Sequence, residues 1–180
     1  MKTYISILRG NNVSGQKKIL MQDLKVLYEN LGFEKVTTYI QSGNVIFQSN
    51  ESLSTEFAKK IEEAVAEKYK FNVPVIVRKA DEMQKVVESN PFLNEQMIDV
   101  NKLHVTFLSE TPSQENLKKI SVADFFPDRF IIEGKEVFLY IPEAYGTTKL
   151  SNTFFENKLK VSATTRNWKT VNKLAEMASA

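Results

Sequence analysis

Apolar residues along this chain alternate between two periods. Thr3 to Arg9 is rich in Tyr, Ile and Leu and closes on Gly10-Asn11-Asn12, which predicts a strand and a turn. From Ile19 to Leu31 the period becomes helical: Leu20, Leu24, Leu27 and Leu31 share one face, and Gly32 stands where a C-terminal cap is expected. Lys35 to Ile40 and Asn44 to Ser49 read as two strands around Gln41-Ser42-Gly43, a hairpin signal. Leu53 to Tyr69 predicts a second amphipathic helix. It has Leu53, Phe57, Ile61, Ala64, Val65 and Lys68 inward or at its edge, and Glu56, Lys59, Lys60, Glu63 and Glu67 outward. Pro74 to Lys79 is a further strand, which a proline can open.

Strand, helix, strand, strand, helix, strand is the split β-α-β order of a ferredoxin-like unit. The second half repeats it less cleanly, after a helical segment from Asp81 to Ser89. Lys102 to Ser109 reads as a strand, and Thr111-Pro112-Ser113-Gln114 as a helix start with Thr111 as N-cap and Pro112 at the first helical position. Phe130 to Ile132 and Val137 to Ile141 flank the turn Glu133-Gly134-Lys135. Ser151 to Leu159 and Trp168 to Ala178 look helical, with a short strand expected near Lys160 to Ala163. The expectation is an α+β protein of two ferredoxin-like modules in tandem, residues 1–79 and 80–180, the second with extra helices. The alternative is one continuous α+β domain.

Composition narrows the class. With 180 residues, 42% apolar and 26% charged, the chain is ordinary globular protein, which excludes disordered, collagen-like and disulfide-scaffold classes. The absence of cysteine removes disulfides, thiolate nucleophiles and Cys-containing metal sites. Met1-Lys2-Thr3 runs straight into a strand pattern without a signal-like apolar region, and no run approaches 18 apolar residues; a cytoplasmic protein without a membrane partner is expected. Residues 1–79 carry 12 basic and 8 acidic side chains, a net of +4, while 80–180 carry 12 and 14, a net of −2. That excludes a uniformly basic nucleic-acid binder. Lys158, Lys160, Arg166, Lys169 and Lys173 form a run with no acid between Glu156 and Glu176, read either as an anion-attracting patch or as a solvated face.

Three segments carry more than connection requires. Arg9 to Lys18 combines two Gly and two Asn with Arg9, Lys17 and Lys18 and no acid. Gly and Asn permit close backbone approach, and a following helix start offers N–H groups to an anion. The spacing matches neither a P-loop nor a dinucleotide fingerprint. Tyr39 to Val45 is good turn chemistry in its own right. In a ferredoxin-like unit, however, this turn and the loop after the first strand emerge at the same end of the sheet, so Arg9, Asn11, Asn12, Lys17, Lys18, Ser42 and Asn44 become candidate ligand contacts. The third segment, Ser162 to Val171, holds the only Trp. Arg166 and the Thr hydroxyls there are candidate anion contacts. Equally, Thr165 or Asn167 serves as an N-cap and Trp168 as a core anchor.

The segments Leu8-Arg9-Gly10 with Asn12-Val13 and Gly15, Tyr39-Ile40-Gln41-Ser42-Gly43-Asn44-Val45, and Ala163-Thr164-Thr165-Arg166-Asn167-Trp168 with Thr170-Val171 carry a resemblance. Together they are similar to the hallmark segments of the bacterial family called domain of unknown function 1697, across essentially the whole chain. The resemblance implies a protein of two ferredoxin-like α+β modules and implies no activity. The chain departs from the family pattern at Asn11 and Lys169.

Catalytic templates find no match. The sole histidine, His104, lies inside an apolar strand pattern and suits packing better than catalysis, and a zinc site lacks ligands. No Gly-x-Ser-x-Gly elbow is present. Glu62 and Glu63 read as a solvated helix face, and Asp124 and Asp128 as loop caps or a weak metal site. Neither cofactor nor metal is expected, and the sequence leaves catalysis open. Three readings remain: binding of a small anionic, phosphorylated or nucleotide-like ligand; RNA binding on an open sheet face, for which Tyr4 and Phe47 are the candidate stacking residues; and an interaction module with Tyr4, Leu8 and Phe47 as interface core.

Overall fold

Strand β1 (Lys2–Leu8) forms from a run of β-branched and aromatic side chains, and its alternation sends Tyr4 and Leu8 to one face and Ile5 and Ile7 to the other. In the computed structural model, which describes residues 1–10, 19–51 and 54–180, β1 is followed by α1 (Met21–Asn30), β2 (Glu34–Tyr39), β3 (Asn44–Ser49), α2 (Ser54–Tyr69) and β4 (Val75–Lys79). These strands form an antiparallel sheet in the order β2-β3-β1-β4. Helix α3 (Ala80–Glu88) follows. Then come β5 (Leu103–Leu108), α4 (Gln114–Leu117), β6 (Arg129–Glu133), β7 (Glu136–Tyr140), α5 (Asn152–Leu159), β8 (Ala163–Asn167) and α6 (Trp168–Ser179). The second sheet is antiparallel in the order β6-β7-β5-β8. The protein is thus α+β, with two four-stranded antiparallel sheets and six α-helices among the described residues.

The chain divides into two compact units, Met1–Lys85 with Lys173–Ala180, and Val86–Asn172. In the first, Tyr4 and Leu8 meet Val45 and Phe47 of β3, Leu24 and Tyr28 of α1 and Phe57, Ile61 and Val65 of α2 in one apolar core. Phe47 lies at its centre: its ring centroid is 4.3 Å from Phe33, 5.6 Å from Tyr4 and from Tyr28, and 5.8 Å from Phe57. The hydroxyls of Tyr4, Ser6 and Tyr28 enter this core hydrogen-bonded, whereas the buried Tyr69 hydroxyl at its edge has no hydrogen-bond partner among the described residues. Tyr28 and Ser6 share a 2.5 Å hydrogen bond, and Tyr4 donates to the Glu51 carbonyl at 2.7 Å. Burial raises the Tyr28 phenol far above its usual range, the Ser6 hydroxyl opposing. In the second unit, Leu108, Leu139, Phe130, Phe155 and Leu159 form the corresponding helix-side core.

The two units repeat the same local devices. Leu8 N–H donates to the Gly43 carbonyl, and Leu108 N–H to that of Lys135. Arg9 N–H donates to Pro74, and Ser109 N–H to Ser162. A helix glutamate accepts the first N–H of the following edge strand in each: Glu62 from Val75 at 2.8 Å, Glu156 from Ala163 at 3.1 Å. Arg78 pairs with Ile5 and Arg166 with Val105 at matching register positions. Both arginines are buried, and each donates Nη1 to the carbonyl of the residue before it.

Several expectations are corrected. Leu20 is not on the buried face of α1: it is the 53% exposed N-cap residue, and Met21 and Tyr28 join Leu24 and Leu27 inside. Lys68 is exposed. Glu62 is half-buried, because it holds the edge of β4 and is not a freely solvated carboxylate. The N-cap of α4 is Ser113, whose Oγ accepts the Asn116 N–H at 3.1 Å, which leaves Pro112 buried ahead of the helix and not within it. The last strand is Ala163–Asn167, not Lys160 to Ala163. Its polar, threonine-rich run hides it from an apolar pattern, yet branched Thr side chains suit a strand. Asn167 Oδ1 accepts the Thr170 N–H at 2.8 Å, so the capping role falls to Asn167, while Thr165 bonds Thr106 and Asn152. Trp168 is 7% exposed, a packed residue.

Candidate functional site

At the C-terminal end of β1 the first unit gathers its connections. The register places Ile7 opposite Asn44 and Leu8 opposite Val75, and the Leu8 and Arg9 amides reach the Gly43 and Pro74 carbonyls, each at 3.0 Å. Arg9, Gly10 and the turn 40–43 therefore share one end of the sheet. Asn11, Asn12, Lys17 and Lys18 lie outside the described residues.

The turn is built by its own side chains. Asn44 is fully buried and its Nδ2 donates to the Tyr39 carbonyl at 3.0 Å and to Ser42 Oγ at 2.7 Å. Asn44 is therefore a clamp that shapes the turn, and Ser42, half-buried, is the hydroxyl it holds. Gly43 takes φ +83 and Gly10 φ +71, conformations that glycine adopts without strain. Ile40 also has a positive φ, +48, where a branched residue is unusual. Arg9 is half-buried beside this turn.

Arg166 is placed differently from the loop position that the sequence suggested. It sits within β8, 9% exposed, donating to Thr164 Oγ1 at 3.3 Å and to the Thr165 carbonyl at 2.9 Å. Burial pushes its guanidinium down to about 10, with the Tyr145 phenol opposing, so it stays charged at neutral pH. The basic run near it does not share one environment: Lys158, Lys160 and Lys169 are exposed, Arg166 is buried, and Lys173 is paired with Glu176 at 3.4 Å.

The remaining candidates resolve into structural roles. Tyr4 and Phe47 are fully buried beneath α1 and α2, so neither offers a face for a stacked base. They belong to the core of their own unit, as does Leu8. Asp128 accepts the Thr148 hydroxyl at 2.5 Å. Among the described residues no group of three His, Asp or Glu side chains is placed to hold a metal, and no helix is long and apolar enough to cross a membrane.

His104 stacks on Tyr145 with ring centroids 4.9 Å apart, and its buried Nδ1 has no hydrogen-bond partner among the described residues. Burial lowers its pKa, the Lys102 backbone opposing. A base whose folded pKa is depressed contributes stability above its unfolded pKa, about 6.5, and loses it as pH falls toward the folded value. Stability is expected to decline below about pH 6.5, and His104→Gln is expected to flatten that part of a denaturation-midpoint profile. An unchanged slope would show that His104 does not govern it.

The positive φ of Ile40 and the acceptor role of the Pro74 carbonyl are not evident from sequence, and Glu62 reads there only as a solvated carboxylate. For Ile40 the available signal was a branched residue entering a turn that favours Gly or Asn.

These features define an α+β protein of two similarly built sheet-and-helix units. The chain belongs to the family described as protein of unknown function DUF1697, whose model matches residues 1–138. In structure it is similar to the conserved bacterial protein SP0830 from Streptococcus pneumoniae, at 26% identity over 98% of each chain with a TM-score of 0.75. No curated protein matches the chain.

Proposed function

We propose that the loop end of the first unit binds a small anionic ligand, phosphorylated or nucleotide-like. Arg9, Asn11, Asn12, Lys17 and Lys18 supply charge and amide donors, Ser42 a hydroxyl, and Asn44 the rigidity of the turn. One observation carries this reading: the two units close the same end of their sheets with the same backbone hydrogen bonds but with very different connections. Between strand and helix the second unit has residues 109–113 and at its hairpin Gly134-Lys135, whereas in the first the sequence from β1 to α1 runs over residues 9–20 and the hairpin turn over 40–43. The minimal version suffices for folding. The surplus in the first unit is rich in Gly, Asn and cations, the composition that lets a backbone approach and neutralise an anion. Arg166, engaged within its own strand, is not needed for this reading.

We also read each half as a ferredoxin-like module, residues 1–79 and 80–180, which the strand orders β2-β3-β1-β4 and β6-β7-β5-β8 support. Nothing favours RNA over a small anion once Tyr4 and Phe47 are buried. The test is a thermal-shift panel of inorganic phosphate, pyrophosphate, adenosine monophosphate and a short single-stranded RNA at low and moderate salt. A rise in Tm with the small anions that Arg9→Ala diminishes is the expected result. A rise with RNA alone would move the function to nucleic acid, and no rise with any of them would leave the loops purely structural.

A further inference from the structure

Strand β6 (Arg129–Glu133) is an outermost strand of the second sheet and, among the described residues, pairs on one side only, with β7. The two-residue turn Gly134-Lys135, with Gly134 at φ +59, makes Glu133 and Glu136 a hydrogen-bonded pair. Bonded and non-bonded pairs alternate from there, so the backbone groups of Arg129, Ile131 and Glu133 face β7 and those of Phe130 and Ile132 face the open edge. An open row of N–H and C=O groups is a template for another strand, which proteins blunt with bulges, charges or cover. The other three edge strands of the described residues are blunted. β2 shifts register between Glu34 and Thr37, with Lys35 at φ +48, and β4 and β8 each give their first amide to a helix glutamate and carry a buried arginine. β6 keeps an unbroken register over all five residues.

The sequence of β6 is also complementary to itself. Reversed about Ile131, Arg-Phe-Ile-Ile-Glu sets Arg129 opposite Glu133, Phe130 opposite Ile132, and Ile131 opposite its own copy. The same reversal sets Arg78 opposite Ile76 in β4 and Arg166 opposite Thr164 in β8, with no such match of charge. We propose that β6 pairs antiparallel with β6 of a second copy of this chain, about a two-fold axis at Ile131, joining two four-stranded sheets into one of eight. The outward backbone groups fix that register: Phe130 and Ile132 of one copy exchange hydrogen bonds with Ile132 and Phe130 of the other, and Ile131 becomes the central non-hydrogen-bonded pair. On one face the half-buried Ile132 meets Phe130 of the second copy and extends the apolar core. On the other, the two half-buried Ile131 side chains cover each other between two Arg–Glu pairs. Within its own chain Glu133 stands opposite Glu136, a like-charge pairing that is unfavourable, so an arginine arriving on the open side meets an uncompensated carboxylate. Arg129 is ordered for that role. Its guanidinium lies 5.0 Å from the Phe92 ring centroid, and its bonds to Glu95, at 2.8 and 2.7 Å, leave N–H donors for a second carboxylate.

The test is sedimentation velocity on the full chain and its variants. The wild type is expected to pass from monomer to dimer between about 1 μM and about 1 mM, the range open to a small interface. Glu133→Lys puts a cation opposite Glu136 in its own chain but opposite Arg129 of the second copy. Its Tm at low concentration should therefore hold or rise while the dimer weakens at least about tenfold. Ile131→Lys, which brings two like charges together on the axis, should leave a monomer throughout. Because the chain has no cysteine, Ile131→Cys supplies one thiol per copy, with Cα atoms about 4.5 Å apart across the axis, and mild oxidation should give a covalent dimer. Thr38→Cys, on the bulged edge strand β2, should cross-link far more slowly. A wild type still monomeric at about 1 mM, a dimer that Glu133→Lys and Ile131→Lys leave intact, or equal cross-linking at positions 131 and 38 would each overturn the proposal.

Discussion

Replacing Phe47 with alanine should cost about 3–5 kcal/mol of stability, the range for deleting a buried aromatic ring from a core that cannot collapse around the gap. Phe47 is fully buried, and four aromatic rings, Tyr4, Tyr28, Phe33 and Phe57, surround it at centroid distances from 4.3 to 5.8 Å. Those rings come from β1, α1, the loop before β2, and α2, so no single element can shift to fill the space. Because a whole domain is stable by only about 5–15 kcal/mol, this loss takes a large share of the margin. Denaturant titration should show a lower midpoint with an unchanged slope. A cost under about 1.5 kcal/mol would mean that the ring cluster is not the keystone of the first unit.

The second large effect concerns the ligand. On the proposed anion-binding function, pyrophosphate at about a hundred times its dissociation constant should stabilise the folded protein by about 2.7 kcal/mol. For a chain of this size that is a rise of about 5–10 °C in Tm. On that proposal Arg9→Ala should remove a charge-assisted hydrogen bond worth about 1.5–3 kcal/mol, which would weaken binding about tenfold or more. At the same pyrophosphate concentration the rise should fall to about half or less. Added salt should shrink the wild-type rise as well, because exposed charges are screened within about 8–10 Å. An equal rise in wild type and Arg9→Ala would remove Arg9 from the site.

Legibility in the sequence followed how local each determinant was. β3 was readable at Asn44–Ser49 because alternation and turn chemistry agree there. α1 was readable as a helix, but its buried face was misread at Leu20: four leucines at helical spacing outweighed Met21 and Tyr28, and only tertiary packing decides which rows turn inward. β8 was displaced because Ala163-Thr164-Thr165-Arg166-Asn167 has no apolar alternation, and its pairing with β5 involves residues some 60 positions away. Arg166 followed from that error, since a residue read into a loop is exposed and one in a strand is buried. Glu62 was misread for a related reason. Its acceptor role depends on the Val75 amide, 13 residues on, at an edge that exists only once β4 has docked.

The candidate site was legible as a coincidence of residue types at one end of a sheet. What the sequence could not separate was shaping from contact. Asn44 looked like a ligand donor, yet its amide is occupied by Tyr39 and Ser42 within the turn. Ile40 looked like the last residue of a strand, yet β2 ends at Tyr39 and Ile40 opens the turn at φ +48.

The most direct test of the account is a pyrophosphate titration followed by amide NMR on the full chain. Gly10, Ser42, Gly43 and Asn44 are expected to shift in a saturable way. Ser109, Lys135 and Ser162, which occupy the equivalent end of the second unit, are expected to stay in place. Shifts that appear equally at both ends, or at neither, would contradict a ligand site built on the surplus loops of the first unit.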